Sequence, residues 1–526
     1  MNCIFESSNP VRVGLVEHLQ PGNHKLALTA AGKSVSYHQM LEATIRLHQF
    51  MLTKNSQPKR IGILAYRSQL SYTSTLLSVL CGASFVYLNP TFPQTRLQMV
   101  LDSAQLDMLI VDAQHNELVD DLMMARTTKP VIIREDEYES ESVIDNDTLA
   151  RYWATAHNHH ALPDELAYIK FTSGSTGIPK GVPISYANLA AFLEYSQQRY
   201  QFTSDDVFSQ TFDQSFDLSV FDIFLCFSAG GHLCVPSKMS LLAPSRYINE
   251  HRISVWFSVP SLANQMAARG FLKRESLPTL RLSLFCGEAL PQQTAEAWQA
   301  AAPQSIVENL YGPTEATIAC FVYRWQEETS KSICHHGIVP IGEPYPHVEA
   351  VIADETGQIV EAFNRPGRLL VRGSQVFQGY LNQESTQQPF VTVDMEDVPY
   401  YETGDVVSRQ SDGIYLFHGR SDHQVKINGY RIELGEIEMI ARQLIASNLA
   451  AIPFPSGAQA EKIVLFYEGQ VDLTKLTALF QEKLPAYMCP KDMIALSALP
   501  LNANGKIDRK VLLAQLENER LNGVTA

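Results

Sequence analysis

One stretch constrains this chain more than any other: Phe171-Thr172-Ser173-Gly174-Ser175-Thr176-Gly177-Ile178-Pro179-Lys180-Gly181, directly after the apolar, strand-like run Leu166 to Ile169. Three glycines, four hydroxyls and a lysine in eleven residues suit neither a strand nor a helix. They suit a loop that wraps an anion: glycine lets backbone N–H groups approach closely, hydroxyls add donors, and Lys180 adds positive charge. A nucleoside triphosphate is the expected guest. The loop is not a Walker A sequence, which needs Gly-Lys-Ser/Thr in succession, whereas Lys180 follows Pro179. Alone, the stretch also fits a flexible surface loop, so other residues must decide.

At 526 residues the chain has room for several domain-sized units, and 45% hydrophobic with 18% charged residues is a globular balance. A net charge of −15 opposes nucleic-acid or anionic-membrane partners, so any phosphate site must be local. The cysteines (Cys3, Cys81, Cys226, Cys234, Cys286, Cys320, Cys334, Cys489) show no C-x-x-C pair. They are expected to be reduced thiols of a cytoplasmic protein. The first residues lack the basic and apolar regions of a signal peptide, and the most apolar region, Val220 to Val235, is interrupted by Asp222 and Gly230-Gly231. Neither export nor a membrane span is expected.

Residues 10 to 165 alternate strand-like runs (Ile61 to Leu64, Met108 to Val111, Pro130 to Ile133) with helix-like ones (Tyr37 to Leu52, Leu70 to Leu80). This is the rhythm of strand–helix–strand units and a parallel sheet. It continues through Val207 to Ser209, Val255 to Ser258, Leu282 to Phe285 and Ile306 to Asn309. From about 341 to 421 short strands and turns predict a β-rich subdomain. A last unit, 422–526, has helices expected around Glu433 to Ser447 and Leu473 to Leu484 and strands around Leu449 to Ile452 and Ile463 to Tyr467. The fold class is therefore α/β: a large N-terminal part, 1–421, and a small, mobile α+β C-terminal domain. His157-Asn158-His159-His160 is too tight a run of imidazoles to wrap a tetrahedral metal and reads as a solvated loop.

Six further stretches join the loop in order: Phe216-Asp217-Leu218-Ser219-Val220, Asn309-Leu310-Tyr311-Gly312-Pro313-Thr314-Glu315, Tyr401-Glu402-Thr403-Gly404-Asp405, the run Gly419 to Glu436, Leu484 to Pro490, and Asn504 to Lys510. Together they resemble the adenylate-forming superfamily. Within it they are most similar to stand-alone amino-acid adenylation domains of nonribosomal peptide synthetases, prolyl-adenylate ligases and D-alanine–carrier protein ligases. The resemblance implies a two-step reaction using ATP and Mg²⁺. A carboxylate attacks the α-phosphate to give an acyl-adenylate and pyrophosphate, and a thiol then displaces AMP to give a thioester.

By the same resemblance, Thr172, Ser173, Thr176 and Lys180 would hold the β- and γ-phosphates. Tyr311 would lie against adenine, with Gly287, Glu288 and Ala289 as the opposing wall and Asn309 at the edge. Thr314 would contact the α-phosphate and Glu315 would hold Mg²⁺. Asp405 would accept from the ribose hydroxyls, with Arg420 nearby. Lys506 would bridge substrate carboxylate and α-phosphate, offsetting charge at the pentacovalent centre. Asp422 would be the hinge of the small domain, and Gly429-Tyr430-Arg431 would face the site only in the thioester-forming state.

By the resemblance, Asp217 separates amino-acid activators from their fatty-acyl, aryl and luciferase-like relatives and implies an amino acid, since a buried carboxylate is worth its desolvation only against a cation such as an α-ammonium. A cap on the helix that follows is its other reading. The remaining pocket positions would be Leu218, Phe221, Phe257, Leu284, Cys286, Leu310, Ile318 and Ala319. None is charged, so a small to medium apolar side chain is expected. Leu218, Leu284 and Leu310 resemble prolyl ligases and favour L-proline, whereas Cys286 resembles the D-alanine ligases. No phosphopantetheine-attachment stretch follows Lys510, so a discrete carrier protein is the expected partner, with free coenzyme A as alternative acceptor. An acyl- or aryl-CoA synthetase and a silent nucleotide-binding protein are the rival readings. Finally, Arg368 and Glu402 stand where the family usually has glutamate and a basic residue, which suggests one ion pair with its signs exchanged.

Overall fold

The computed structural model describes residues 10–54, 57–124, 126–138, 144–156, 165–174, 177–381, 389–393, 398–422, 424–455, 460–502 and 506–521. Cys3, Thr176 and the run His157 to His160 lie outside them. Two large sheets carry the N-terminal part. In the first, Val131–Arg134, Met108–Val111, Arg60–Leu64, Ser84–Tyr87 and Leu166–Thr172 run parallel in that order, with Lys180–Ser185 antiparallel at the edge. The second has nine strands, with a parallel centre of Ile306–Tyr311, Leu282–Phe285, Val255–Ser258, Val207–Ser209, His232–Cys234 and Leu26–Ala30. Continuous apolar runs such as Met108–Val111 are fully buried, as strands covered on both faces must be.

Helix Gln69–Leu80 is buried along nearly its whole length and helps join the two sheets into one core with Phe85, Phe224 and Tyr186. Two of its interior hydroxyls bond within the helix, Thr75 donating to the Ser71 carbonyl at 2.9 Å and Ser78 to that of Ser74 at 2.8 Å, whereas those of Thr73 and Ser74 have no partner among the described residues. Helix Tyr37–Thr53 begins at a capping box made by Ser36 and Gln39. The β-rich part is a five-stranded antiparallel sheet of Val348–Ala353, Gly367–Gly373, Phe390–Val391, Tyr400–Arg409 and Tyr415–Arg420. Here Arg368 meets Glu402 at 2.5 Å, the sign-exchanged pair expected from the sequence.

From Gln424 onward the chain forms a hairpin, Gln424–Ile427 with Tyr430–Glu433, and a three-stranded sheet of Leu449–Phe454, Lys462–Glu468 and Asp492–Leu496. The helix expected to run to Ser447 ends at Ala441, after which the chain turns to bury Ile445 and enter the strand at Leu449. Helix Arg509–Leu521, not foreseen, packs on this sheet through Leu512 and Leu516. A buried ion pair, Arg96 to Glu436 at 2.6 Å, crosses the seam to the N-terminal part. Beside it Thr95 donates to the Glu482 carbonyl at 2.8 Å, and stacked Tyr430 and Tyr487 lie against Phe216.

Both large sheets deliver the ends of their strands to one cleft, the usual place for ligands in open α/β sheets. Strand Ile306–Tyr311, which brings Asn309 and Tyr311 there, is anchored by Glu308. That fully buried carboxylate accepts from Arg199 at 2.7 and 3.0 Å, Arg324 at 2.9 Å and Tyr200 at 2.7 Å. Replacing Glu308 by Ala leaves the Arg199 guanidinium, itself only partly exposed, without its buried partner. A loss of about 3 to 5 kcal/mol in unfolding free energy is expected, read from urea titration; an unchanged midpoint would refute the anchoring role.

Candidate active site

The anion loop joins Leu166–Thr172 to Lys180–Ser185 at the carboxyl end of the first parallel sheet. Its glycines are required by geometry. A Cβ on Gly174 would stand 2.2 Å from the Ile178 carbonyl oxygen, and Gly177 has φ +75° with Met439 of the C-terminal part against it. Ser173 is bonded across the seam, donating to the Arg431 carbonyl at 2.9 Å and accepting the Glu433 N–H at 3.2 Å. Lys180 lies 5.3 Å over the Tyr380 ring.

Thr172, Ser173, Asp217, Leu218, Thr314 and Ile318 line one cavity of about 60 Å³. Asp217 precedes helix Leu218–Ser228 but makes no capping bond, which removes its purely structural reading. It is 7% exposed, and its Oδ2 has no hydrogen-bond partner. Burial pushes its carboxyl up to about 6, against the opposing pull of Lys170 and of the Thr314 hydroxyl; Glu315 adds to the rise. An orphaned, buried carboxylate oxygen is a ready partner for an ammonium group.

Phe221, Phe257, Leu284, Cys286, Leu310 and Ala319 belong to the same packed core as Leu218 and Ile318, but do not line this cavity. Phe221 and Phe257 pack with centroids 4.7 Å apart. The cavity wall instead contains Lys170, overlooked because it falls at the end of an apolar strand run, where its facing could not be assigned. Its ammonium donates to the Gln214 carbonyl at 2.5 Å.

A second cavity, of about 580 Å³, is lined by Gly287, Glu288, Ala289, Asn309, Tyr311, Asp405, Arg420 and Asp422. Asn309 donates to the Pro340 carbonyl at 2.8 Å, while its buried Oδ1 has no partner. That free acceptor fits an amino N–H such as that of adenine. Tyr311 donates to Asp405, and Arg420 bridges Asp405 at 2.8 Å and Asp422 at 2.6 Å. Lys426, inside a quoted motif but given no role from the sequence, lines both cavities and lies 5.7 Å over the Tyr311 ring. His335, His336 and His418 at the rim had no sequence signal, being brought together only by the fold.

Glu315 is fully buried and held by a cation from the C-terminal hairpin. Arg431 Nη1 reaches its two oxygens at 3.0 and 2.8 Å, and Tyr380 donates to it at 2.8 Å. Burial alone would push this carboxyl up; the adjacent guanidinium and Tyr380 hold it below the ordinary range. Nearby, the Gly429 N–H donates to Glu288 at 2.7 Å. Lys506 is elsewhere: it is exposed, its backbone pairs with Asn502, and it lines neither cavity. The C-terminal part presents the hairpin Gln424–Glu433 to the cleft, together with Tyr487 and Pro453.

The AMP-binding enzyme family matches residues 17–381. The chain belongs to this family. It is 31% identical over 465 residues to the D-alanine–D-alanyl carrier protein ligase of Bacillus licheniformis, covering 86% of this chain and 88% of that one. It is 30% identical over 501 residues to the L-proline–[L-prolyl-carrier protein] ligase of Pseudomonas fluorescens, covering 92% and 95%. Among solved structures it is similar to the Vibrio cholerae adenylation domain AlmE in complex with glycyl-adenosine-5'-phosphate: TM-score 0.86, 30% identity, 97% of this chain and 98% of that one. No described helix is long and apolar enough to cross a membrane.

A carboxyl raised to about 6 is ionised only above that value. Binding of an ammonium ligand at Asp217 is therefore expected to weaken about tenfold per pH unit as pH falls through 6. Calorimetric titration with glycine, alanine and proline between pH 5 and 8 checks this; a flat profile for whichever binds would contradict it.

Proposed function

We propose that this enzyme activates a small amino acid as its aminoacyl-adenylate and transfers it to the phosphopantetheine thiol of a separate carrier protein, in the cytoplasm. The observation that carries this reading is the orphaned Oδ2 of buried Asp217, facing a cavity that adjoins a nucleotide-sized one. Relatives that are carrier-protein ligases along nearly their whole length support it.

In this reading Asp217 takes the α-ammonium and thereby aims the α-carboxylate toward Thr314 and the anion loop. Thr172, Ser173, Thr176 and Lys180 hold the β- and γ-phosphates, Tyr311 and Asn309 the adenine, Asp405 and Arg420 the ribose. The carboxylate oxygen bonds to the α-phosphorus while the bond to the β-phosphate breaks, and pyrophosphate leaves. Lys506 offsets the charge developing between them. The residue fitted to hold Mg²⁺ is Glu315, whose buried, ionised carboxylate already carries a cation, Arg431. The ion supplies charge neutralisation for the departing pyrophosphate.

Lys506 stands outside the cleft and Arg431 inside it, an arrangement suited to the second half-reaction. A thiolate then bonds to the acyl carbon and AMP departs. The exchange of faces is a rotation of residues 422–526 relative to 1–421 about Asp422.

The Leu218, Leu284 and Leu310 combination and the prolyl relatives favour L-proline as substrate. A second reading, alanine or glycine, is favoured by the small cavity and by Phe221 and Phe257 packed behind it. Amino-acid-dependent exchange of pyrophosphate into ATP, across all twenty amino acids plus D-alanine, decides between them. Exchange with one of the small amino acids is expected, and none with any would defeat the proposal. Lys506→Ala is expected to lower exchange by about 2 to 4 kcal/mol of transition-state stabilisation, leaving ATP binding intact.

A further inference from the structure

We infer that Lys170 is the fixed counter-cation of Asp217, a positioning residue that lets the substrate cavity accept a small amino acid as an intact zwitterion. This deepens the reading above and rests on it.

Lys170 is 3% exposed, near the end of strand Leu166–Thr172, and lines the same small cavity as Asp217. Its ammonium is caged: the Gln214 carbonyl accepts from it at 2.5 Å, and the rings of Tyr87, Phe85 and Tyr168 lie at 4.8, 5.6 and 5.7 Å. Three aromatic faces and a carbonyl offset part of the cost of burying this cation; burial still lowers the ammonium to about 7, against the pull of Asp217 and Asp213, so it is charged below that value. Among the described residues no carboxylate forms a salt bridge with it, so it acts on Asp217 through the field and leaves Oδ2 open.

The other charges close to this pair are already engaged. Asp213, which faces Lys170, accepts from the Ser215 N–H at 2.8 Å and hydroxyl at 2.6 Å and from Asn89. Glu315, which faces Asp217, is matched by Arg431. Of the other charges on the cavity wall, Arg431 is matched by Glu315 and Arg420 by Asp405, and Lys426 lies over the Tyr311 ring, which leaves Lys170 and Asp217 as a neutral pair of their own. A zwitterion is also neutral, so loading leaves that balance unchanged. Without Lys170, loading would leave the negative charge of Asp217 without its buried counter-cation in a cavity of about 60 Å³, which is costly. The cage also keeps the ammonium from swinging onto Asp217 and competing with the substrate's own. Lys170 is thus built to sustain the carboxylate's charge while leaving its free oxygen to the ligand.

The test replaces Lys170 by Met, similar in length and uncharged, and measures pyrophosphate exchange with the amino acid that the wild type accepts. The expected result is a fall of about tenfold in kcat/KM for the amino acid at pH 7, with KM for ATP unchanged. The acid limb of the pH profile should also move upward, because Asp217 then ionises against burial with only the Thr314 hydroxyl to help it. A merely structural lysine would not move that limb. Lys170→Gln, which keeps a donor for the Gln214 carbonyl, carries the same comparison where thermal melting shows that the Met variant does not fold. An acid limb in its wild-type position, or a kcat/KM that rises, would overturn the inference. A wild type that exchanges with no amino acid would instead overturn the functional proposal on which it rests.

Discussion

The contact between Glu315 and Arg431 governs the arrangement seen here. A carboxylate from the N-terminal part and a guanidinium from the C-terminal hairpin are both buried, and neither charge could be buried alone without a penalty of several kcal/mol. Once paired, they fix the hairpin over the cleft. Gly429 then reaches Glu288, the Arg431 carbonyl reaches Ser173, and Met439 lies on Gly177 of the anion loop. The loop that should hold phosphates is thus partly held by protein. In the proposed function pyrophosphate and this closure would compete for the same groups, which gives a physical reason for an order of events: the phosphates leave, then the hairpin docks.

Docking also shapes what can be activated. The cavity next to Asp217 is closed on one side by the hairpin, through Gly429 and Arg431, and backed by the packed aromatic core around Phe221 and Phe257. Two of its wall charges, Lys170 and Asp217, are opposite in sign and form no salt bridge. Size and charge therefore act together: a small molecule that is itself neutral but carries an ammonium group meets both conditions, whereas a long acyl chain meets neither.

Much of this was legible in the chain. Continuous apolar runs located most of the parallel strands of both large sheets, because fully buried parallel strands must be apolar throughout, but not Leu26–Ala30 or His232–Cys234. The Gly/Ser/Thr loop and five of the six motifs, all but Asn504 to Lys510, have residues at the cleft, and the exchanged signs at Arg368 and Glu402 foretold a pair that forms. What was not legible depends on facing and on distance along the chain. Lys170 ends an apolar run, and only the sheet's register and the rings of Phe85 and Tyr87 from the next strand make it a caged cation. Arg96 and Glu436 are separated by 340 positions and carry no local signature of pairing. Lys506 was legible as a residue type in a motif, but its exposed position here follows from which face the C-terminal part presents, a property of the whole seam.

The claim on which this picture stands is that the docked arrangement is incompatible with adenylate formation. Thr95 and Glu482 touch across the seam, at 2.8 Å from hydroxyl to backbone carbonyl, so cysteines at these two positions lie within reach of a short, reducible bis-maleimide crosslinker in the docked state. The crosslinked protein should lose amino-acid-dependent pyrophosphate exchange and regain it on reduction. Full exchange while the crosslink is intact would contradict the claim.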